Sequence, residues 1–122
     1  MIDIFLELPS GPKVYVMIPP PCYLDDQFDI QQDVVNDIFP SLIPEMVGGK
    51  VQIIDNFSTM GGRDLTEPNL FADYVHPNDQ GYTIIAKNVL EIVFPEIYEE
   101  FQLSTKLLLR SSIIGVFALL MS

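Results

Sequence analysis

Three features of the sequence predict an α/β fold with parallel strands. Val14-Tyr15-Val16-Met17-Ile18 is a short, nearly unbroken apolar run, as expected of a strand buried on both faces of a parallel sheet. Val51, Ile53 and Ile54 mark a second strand. Between them, Ile30, Val34, Val35 and Ile38 recur at helical spacing, and a helical connection of this length joins two parallel strands as a right-handed βαβ unit.

The elements follow in order. Ile2, Phe5 and Leu6 suit one face of a short helix, which Pro9-Ser10-Gly11-Pro12 stops. Pro19, Pro20 and Pro21 end the first strand, because proline cannot donate to a ladder. A helix is predicted over Asp29 to Phe39, with Asp25, Asp26 and Asp29 near its start to complement the dipole. Pro40 and Pro44 interrupt the pattern, so Ser41 to Val47 reads as a second short helix that Gly48-Gly49 terminates. Asp55 to Ala72 is polar and broken by Gly61-Gly62 and Pro68, a long loop leaving the edge where open α/β folds place their sites. Beyond it, Tyr82, Ala86, Val89 and Val93 share one helical face, with Ile85 and Ile92 beside them, and that face is expected to pack on the sheet. Pro95 ends this helix, and Glu96 to Gln102 is an acidic segment with room for one more turn.

The chain of 122 residues is 48% hydrophobic and suffices for one small core. Its formal charge is −11, and all 17 acidic residues precede residue 102, against four basic ones there, which argues against nucleic acid as a partner. The acids are scattered, as on a solvated surface. Asp55 and Asp64 have no second histidine or cysteine cluster nearby, so a zinc site is not expected there. Arg63 is expected to pair with one of them or to line a cleft. Cys22 is alone and suits a small buried or turn position. Asn56-Phe57-Ser58 fits the N-glycosylation pattern, which matters only in a secreted protein.

The chemistry concentrates in Asp73-Tyr74-Val75-His76-Pro77-Asn78-Asp79-Gln80-Gly81-Tyr82, which holds the sole histidine. A carboxylate three residues before a histidine can hold one ring nitrogen while the other faces a cleft, the base half of a hydrolytic triad. The same residues also suit a plain turn ahead of a helix capped by Asn78 or Asp79.

The run D-x-x-H-P-N-x-x-G-Y, followed by an amphipathic helix, resembles the C-terminal catalytic block of the SGNH hydrolases, the GDSL-type esterases and lipases. Lys13 to Pro21 resembles the strand and proline run that precede that block in many members. The resemblance spans roughly residues 1 to 95 and implies a partial three-layer α/β/α, flavodoxin-like fold. It implies that His76 is the general base and Asp73 its orienting acid. The family's G-D-S nucleophile block has no counterpart here, and the nearest run to its G-x-N-D block, Val34-Val35-Asn36-Asp37, lacks the glycine. The expectation is therefore the C-terminal part of a serine esterase over residues 1–102, cleaving carboxylic esters of small molecules, carbohydrates or lipids, and inactive by itself. The alternative is a non-catalytic, membrane-tethered or interaction module that keeps the second half of the fold.

Residues 103–122 differ in character. The apolar run Ile113 to Met121 follows Leu107-Leu108-Leu109 and Arg110. A helix over 107–121 reaches roughly 22 Å at about 1.5 Å per residue, short of the roughly 30 Å hydrocarbon layer. The expectation is a hydrophobic C-terminal helix that associates with a membrane or is processed, or one that covers part of a partner. A full-length form would then be secreted or membrane-associated.

Overall fold

The computed structural model describes residues 2–120, with side chains for residues 2–26 and 28–108. Contacts divide the chain into two compact units, Met1–Asn88 and Val89–Ser122.

The first unit is mixed α/β. A short helix α1 (Ile2–Leu6) precedes strand β1 (Tyr15–Ile18), and β1 pairs in parallel with β2 (Gln52–Asp55). The register sets Val16 opposite Ile53 and Met17 opposite Ile54. Both strands lie within one or two residues of the apolar runs that announced them. The expectation that β1 is buried on both faces fails, since Ile18 is 4% exposed but Met17 is 47% exposed. A sheet of two strands is too narrow to carry a layer on each side, and such a strand shows one covered face.

The connection between the strands is helical but differs in detail from the prediction. Residues 32–47 follow one helical path that includes a π-helical turn, Val34–Ile38, running directly into α2 (Phe39–Val47). The Phe39 N–H reaches back five residues to the Val34 carbonyl. Pro40 does not break the path, because it lies in the first turn of α2, where its missing N–H costs little, and the wide turn before it relieves the ring clash. The path begins at residue 32, later than predicted, because Asp26, Phe28 and Asp29 have left-handed backbones that a right-handed helix cannot contain. The Asp25 carboxylate still serves the helix start, accepting the Gln32 N–H at 3.0 Å. Gly48 ends α2 as predicted, with its N–H on the Pro44 carbonyl.

The segment read as a long loop contains α3 (Asn56–Thr59) and a 3-10 turn, Pro68–Leu70. Asp55 caps α3 by accepting the Ser58 N–H at 2.9 Å and its hydroxyl at 2.6 Å. Asn56 is 2% exposed, and its side-chain oxygen accepts from Asn88 at 2.9 Å. The glycosylation pattern at Asn56 is thus closed off, for a glycan has no path to a buried amide.

The core sits beneath these loops as much as on the sheet. Met60, Leu70 and Phe71 form a buried cluster, with Tyr23, Ile84 and Ile85 packed around it. Ile84 and Ile85 belong to α4 (Asp79–Val93), so the buried face of α4 is not the predicted one: Tyr82 is 57% exposed and Ala86 is also exposed. The cause is Gly81. A Cβ there would collide with the Leu70 carbonyl oxygen and lie 2.8 Å from Pro77 Cβ and 3.0 Å from Met60 Cε. Lacking one, α4 turns its glycine to the loop and clamps it.

The second unit comprises the end of α4 and α5 (Pro95–Leu120). The division drawn from the sequence at 102/103 falls inside α5. No helix among the described residues is long and apolar enough to cross a membrane. The side chains of 109–121, on which the expectation of a hydrophobic C-terminal helix mostly rested, lie outside the described residues.

Replacing Gly81 by alanine is expected to destabilise the protein by about 1–3 kcal/mol, the usual penalty for overpacking, despite the better helix propensity of alanine. A urea titration checks it, and an unchanged midpoint would contradict the clamp.

Candidate active site

Asp73 and His76 lie on a loop pinched at its base. Phe71 and Pro77 form an isolated antiparallel bridge, and the Ala72 N–H donates to the His76 carbonyl at 2.9 Å. Asn78 fastens the loop to α4 by three routes. Its side-chain oxygen accepts the Gln80 and Gly81 N–H groups at 3.0 and 3.1 Å, its amide nitrogen donates to the Asn69 carbonyl at 2.7 Å, and its backbone N–H donates to the Leu70 carbonyl at 2.9 Å. Asn78 is therefore the helix cap that the sequence suggested and also a brace for the loop.

Within the loop, one carboxylate organises the histidine. Asp73 Oδ1 accepts the N–H of Val75 at 3.2 Å and of His76 at 2.7 Å, while Oδ2 lies 2.8 Å from His76 Nδ1. An ionised carboxylate only accepts, so in the neutral imidazole the proton sits on Nδ1 and the lone pair on Nε2. The imidazole is 59% exposed, and among the described residues Nε2 has no hydrogen-bond partner. The backbone N–H of His76 is the main reason the Asp73 carboxyl lies below the usual carboxylate range, the ring bond and the Val75 N–H add to it, and partial desolvation opposes them.

Two residues that the sequence did not single out complete the surroundings. Tyr23 follows the proline run and donates its backbone N–H to the Tyr74 carbonyl at 2.9 Å. Its ring packs on Phe71 with centroids 4.7 Å apart, and its hydroxyl donates to the Met60 carbonyl at 3.0 Å and accepts the Glu67 N–H at 2.8 Å. Burial pushes the Tyr23 phenol upwards, which keeps it a neutral donor. Phe28 sets its ring edgewise against His76, centroids 5.2 Å apart at 66°. It is 61% exposed and has φ 56°, a conformation that costs a residue with a Cβ about 1–2 kcal/mol. Periodicity does not flag either residue, and no glycine advertises the left-handed turn at Phe28.

The remaining residues singled out in the sequence take other places. Arg63 pairs with Asp37 at 2.7 Å, not with Asp55 or Asp64, because the Asp55 carboxylate is already held by Ser58. Arg63 and Asp37 line a cleft of about 520 Å³ with Asp25, Gln32, Asp33, Asn36 and Leu65. Asn36 is 6% exposed and brackets Cys22, accepting its N–H at 2.8 Å and donating to its carbonyl at 2.7 Å. Cys22 is 2% exposed, the small buried residue expected. Among the described residues no serine, threonine or cysteine hydrogen-bonds His76, and no group of three or more potential metal ligands converges.

The chain matches no protein-family profile, no curated protein and no solved structure. The site's interpretation therefore rests on its geometry.

Two outcomes are expected. Tyr23→Phe strands the Met60 carbonyl and the Glu67 N–H and should cost about 1–3 kcal/mol in thermal or urea unfolding. Because the folded Asp73 lies below its unfolded value near 3.8, its contribution is complete above that value and disappears as pH falls through the lower folded value. The loop contacts of the Asp73 carboxylate, followed by the amide shifts of Val75 and His76, should thus persist at pH 4 and fail only below it. Loss of the contacts at pH 5 would contradict this.

Proposed function

We propose that Asp73 and His76 are the acid–base half of an ester-hydrolysing triad, in a chain that forms the C-terminal part of an SGNH-type serine esterase. The observation that carries the reading is the 2.8 Å contact between Asp73 Oδ2 and His76 Nδ1, made on an imidazole that remains exposed. A histidine with only a structural task is commonly buried with both nitrogens satisfied, whereas a base needs one nitrogen oriented and the other accessible.

In the proposed reaction a serine hydroxyl attacks the acyl carbon as Nε2 takes its proton. The imidazolium is stabilised by Asp73 and returns that proton to the departing alkoxide, leaving an acyl-enzyme and a free alcohol. Nε2 then takes a proton from water, which attacks the acyl-enzyme, and the proton returns to the serine as the acid leaves. The serine and the oxyanion donors belong to segments other than these 122 residues. The parallel β1–β2 pair with its helical crossover supports the finer reading of a three-layer sheet, to which those segments would add strands. An ester of a small molecule, carbohydrate or lipid is the substrate class, and the reaction needs no metal or organic cofactor.

The full natural reading frame that contains this chain should hydrolyse p-nitrophenyl esters. His76→Ala should lower kcat by on the order of 10⁴- to 10⁶-fold, and Asp73→Asn by roughly 10⁴-fold, magnitudes taken from serine proteases. Absent hydrolysis, or a rate indifferent to both changes, would reject the triad and leave the chain as an interaction module.

A further inference from the structure

Phe28 is an exposed aromatic residue, in a backbone conformation that disfavours its side chain, lying edgewise against the only histidine. Each fact alone has an ordinary explanation, but together they conflict with a structural role. A phenylalanine that served the core would be buried, and one that served only a turn would be replaced at no loss by glycine, which occupies φ near +56° without strain. Asp26 and Asp29 have φ 55° and 60°, so three residues within four positions share the left-handed conformation. Strain that the sequence retains next to reactive groups points to a task at that site.

We infer that Phe28 is the apolar wall of the leaving-group subsite, so that the ester cleaved at His76 carries an apolar alcohol rather than a sugar hydroxyl. The inference rests on the triad reading above and deepens it. Its chemical basis is the second role of the base: Nε2 must deliver its proton to the departing alkoxide, so the alcohol half of the ester lies over the imidazole. In the proposed arrangement the Phe28 ring, its centroid 5.2 Å from that of the imidazole, stands beside that half of the ester. Two more large side chains are exposed on the same segments, Leu24 (45%) on the one that leads to Phe28 and Tyr74 (55%) on the loop of Asp73 and His76.

The test compares two series of esters on the full natural protein. In the first the acid is fixed as acetate and the alcohol runs from methanol through 1-butanol to 1-octanol and benzyl alcohol. In the second the alcohol is fixed as ethanol and the acid runs from acetate to octanoate. The expected result is a kcat/KM that rises along the alcohol series, with the octyl-to-methyl ratio falling about 10- to 100-fold in Phe28→Gly. The acyl series should keep its slope in that variant. Thermal unfolding of Phe28→Gly should occur at the same or a higher temperature, because the strain is gone and little burial is lost. An unchanged alcohol ratio, a change confined to the acyl series, or a lowered unfolding temperature would overturn the inference. A second measurement does not need catalysis: benzyl alcohol titrated into the 122-residue chain should shift the His76 ring protons, and Phe28→Gly should abolish that shift. No shift in the unaltered chain overturns the inference, while a Phe28-dependent shift without His76-dependent hydrolysis overturns the triad reading alone.

Discussion

The hydroxyl of Tyr23 is the point on which the arrangement of the site depends. Loops that leave a two-stranded sheet carry backbone groups with few ladder partners, and each one withdrawn from water needs a substitute. One oxygen supplies two of them, accepting from Glu67 and donating to Met60, while the same residue's ring lies on Phe71 and its N–H reaches Tyr74. Tyr23 thus ties the end of the β1 connection to the loop that holds Asp73 and His76. Gly61 is part of that bargain, because a Cβ at that position would run into the Tyr23 oxygen and approach the Glu67 nitrogen at 2.9 Å.

Around this tie the site is assembled from loops and one helix, with the sheet in a supporting position. Helix α4 does not lie with its apolar stripe on β1 and β2. Gly81 brings it against the Leu70 carbonyl, Ile84 and Ile85 close over Met60, Leu70 and Phe71, and Asn78 caps it while bracing residues 69–70. The consequence is mechanical. The histidine loop is anchored to a helix start by backbone hydrogen bonds, whose positions are set far more tightly than those of a long side chain, and a general base tolerates displacement of about 1 Å poorly.

What the sequence disclosed depended on how local each feature is. The parallel strands, the glycine that ends α2 and the cap at Asn78 follow from runs of a few residues, and all are found. The Asp73–His76 contact was equally legible, since a spacing of three lets one carboxylate serve the backbone and ring of the same histidine. Features that depend on distant partners were not. The buried face of α4 was misjudged because hydrophobic periodicity favoured Tyr82 over its neighbour Gly81, and only a contact with Leu70 makes the glycine the inward residue. Arg63 was offered nearby aspartates, while Asp37, 26 positions earlier, is the one it meets. Pro40 looked like a stop because the π-helical turn that accommodates it has no sequence mark.

Asp73 and Phe28 show how differently order can be arranged around one imidazole. The Asp73 carboxylate is rewarded three times over, by two backbone N–H groups and the ring, so structure and proposed function favour the same ionised state. Phe28 gains nothing comparable: its backbone is strained, most of its side chain faces solvent, and among the described residues its aromatic contact is with His76. A folding argument alone accounts for Asp73 and leaves Phe28 without a reason. That asymmetry is why Phe28 adds an argument that the carboxylate cannot supply to the proposal made for this loop, since a turn can use the aspartate and has no use for the ring.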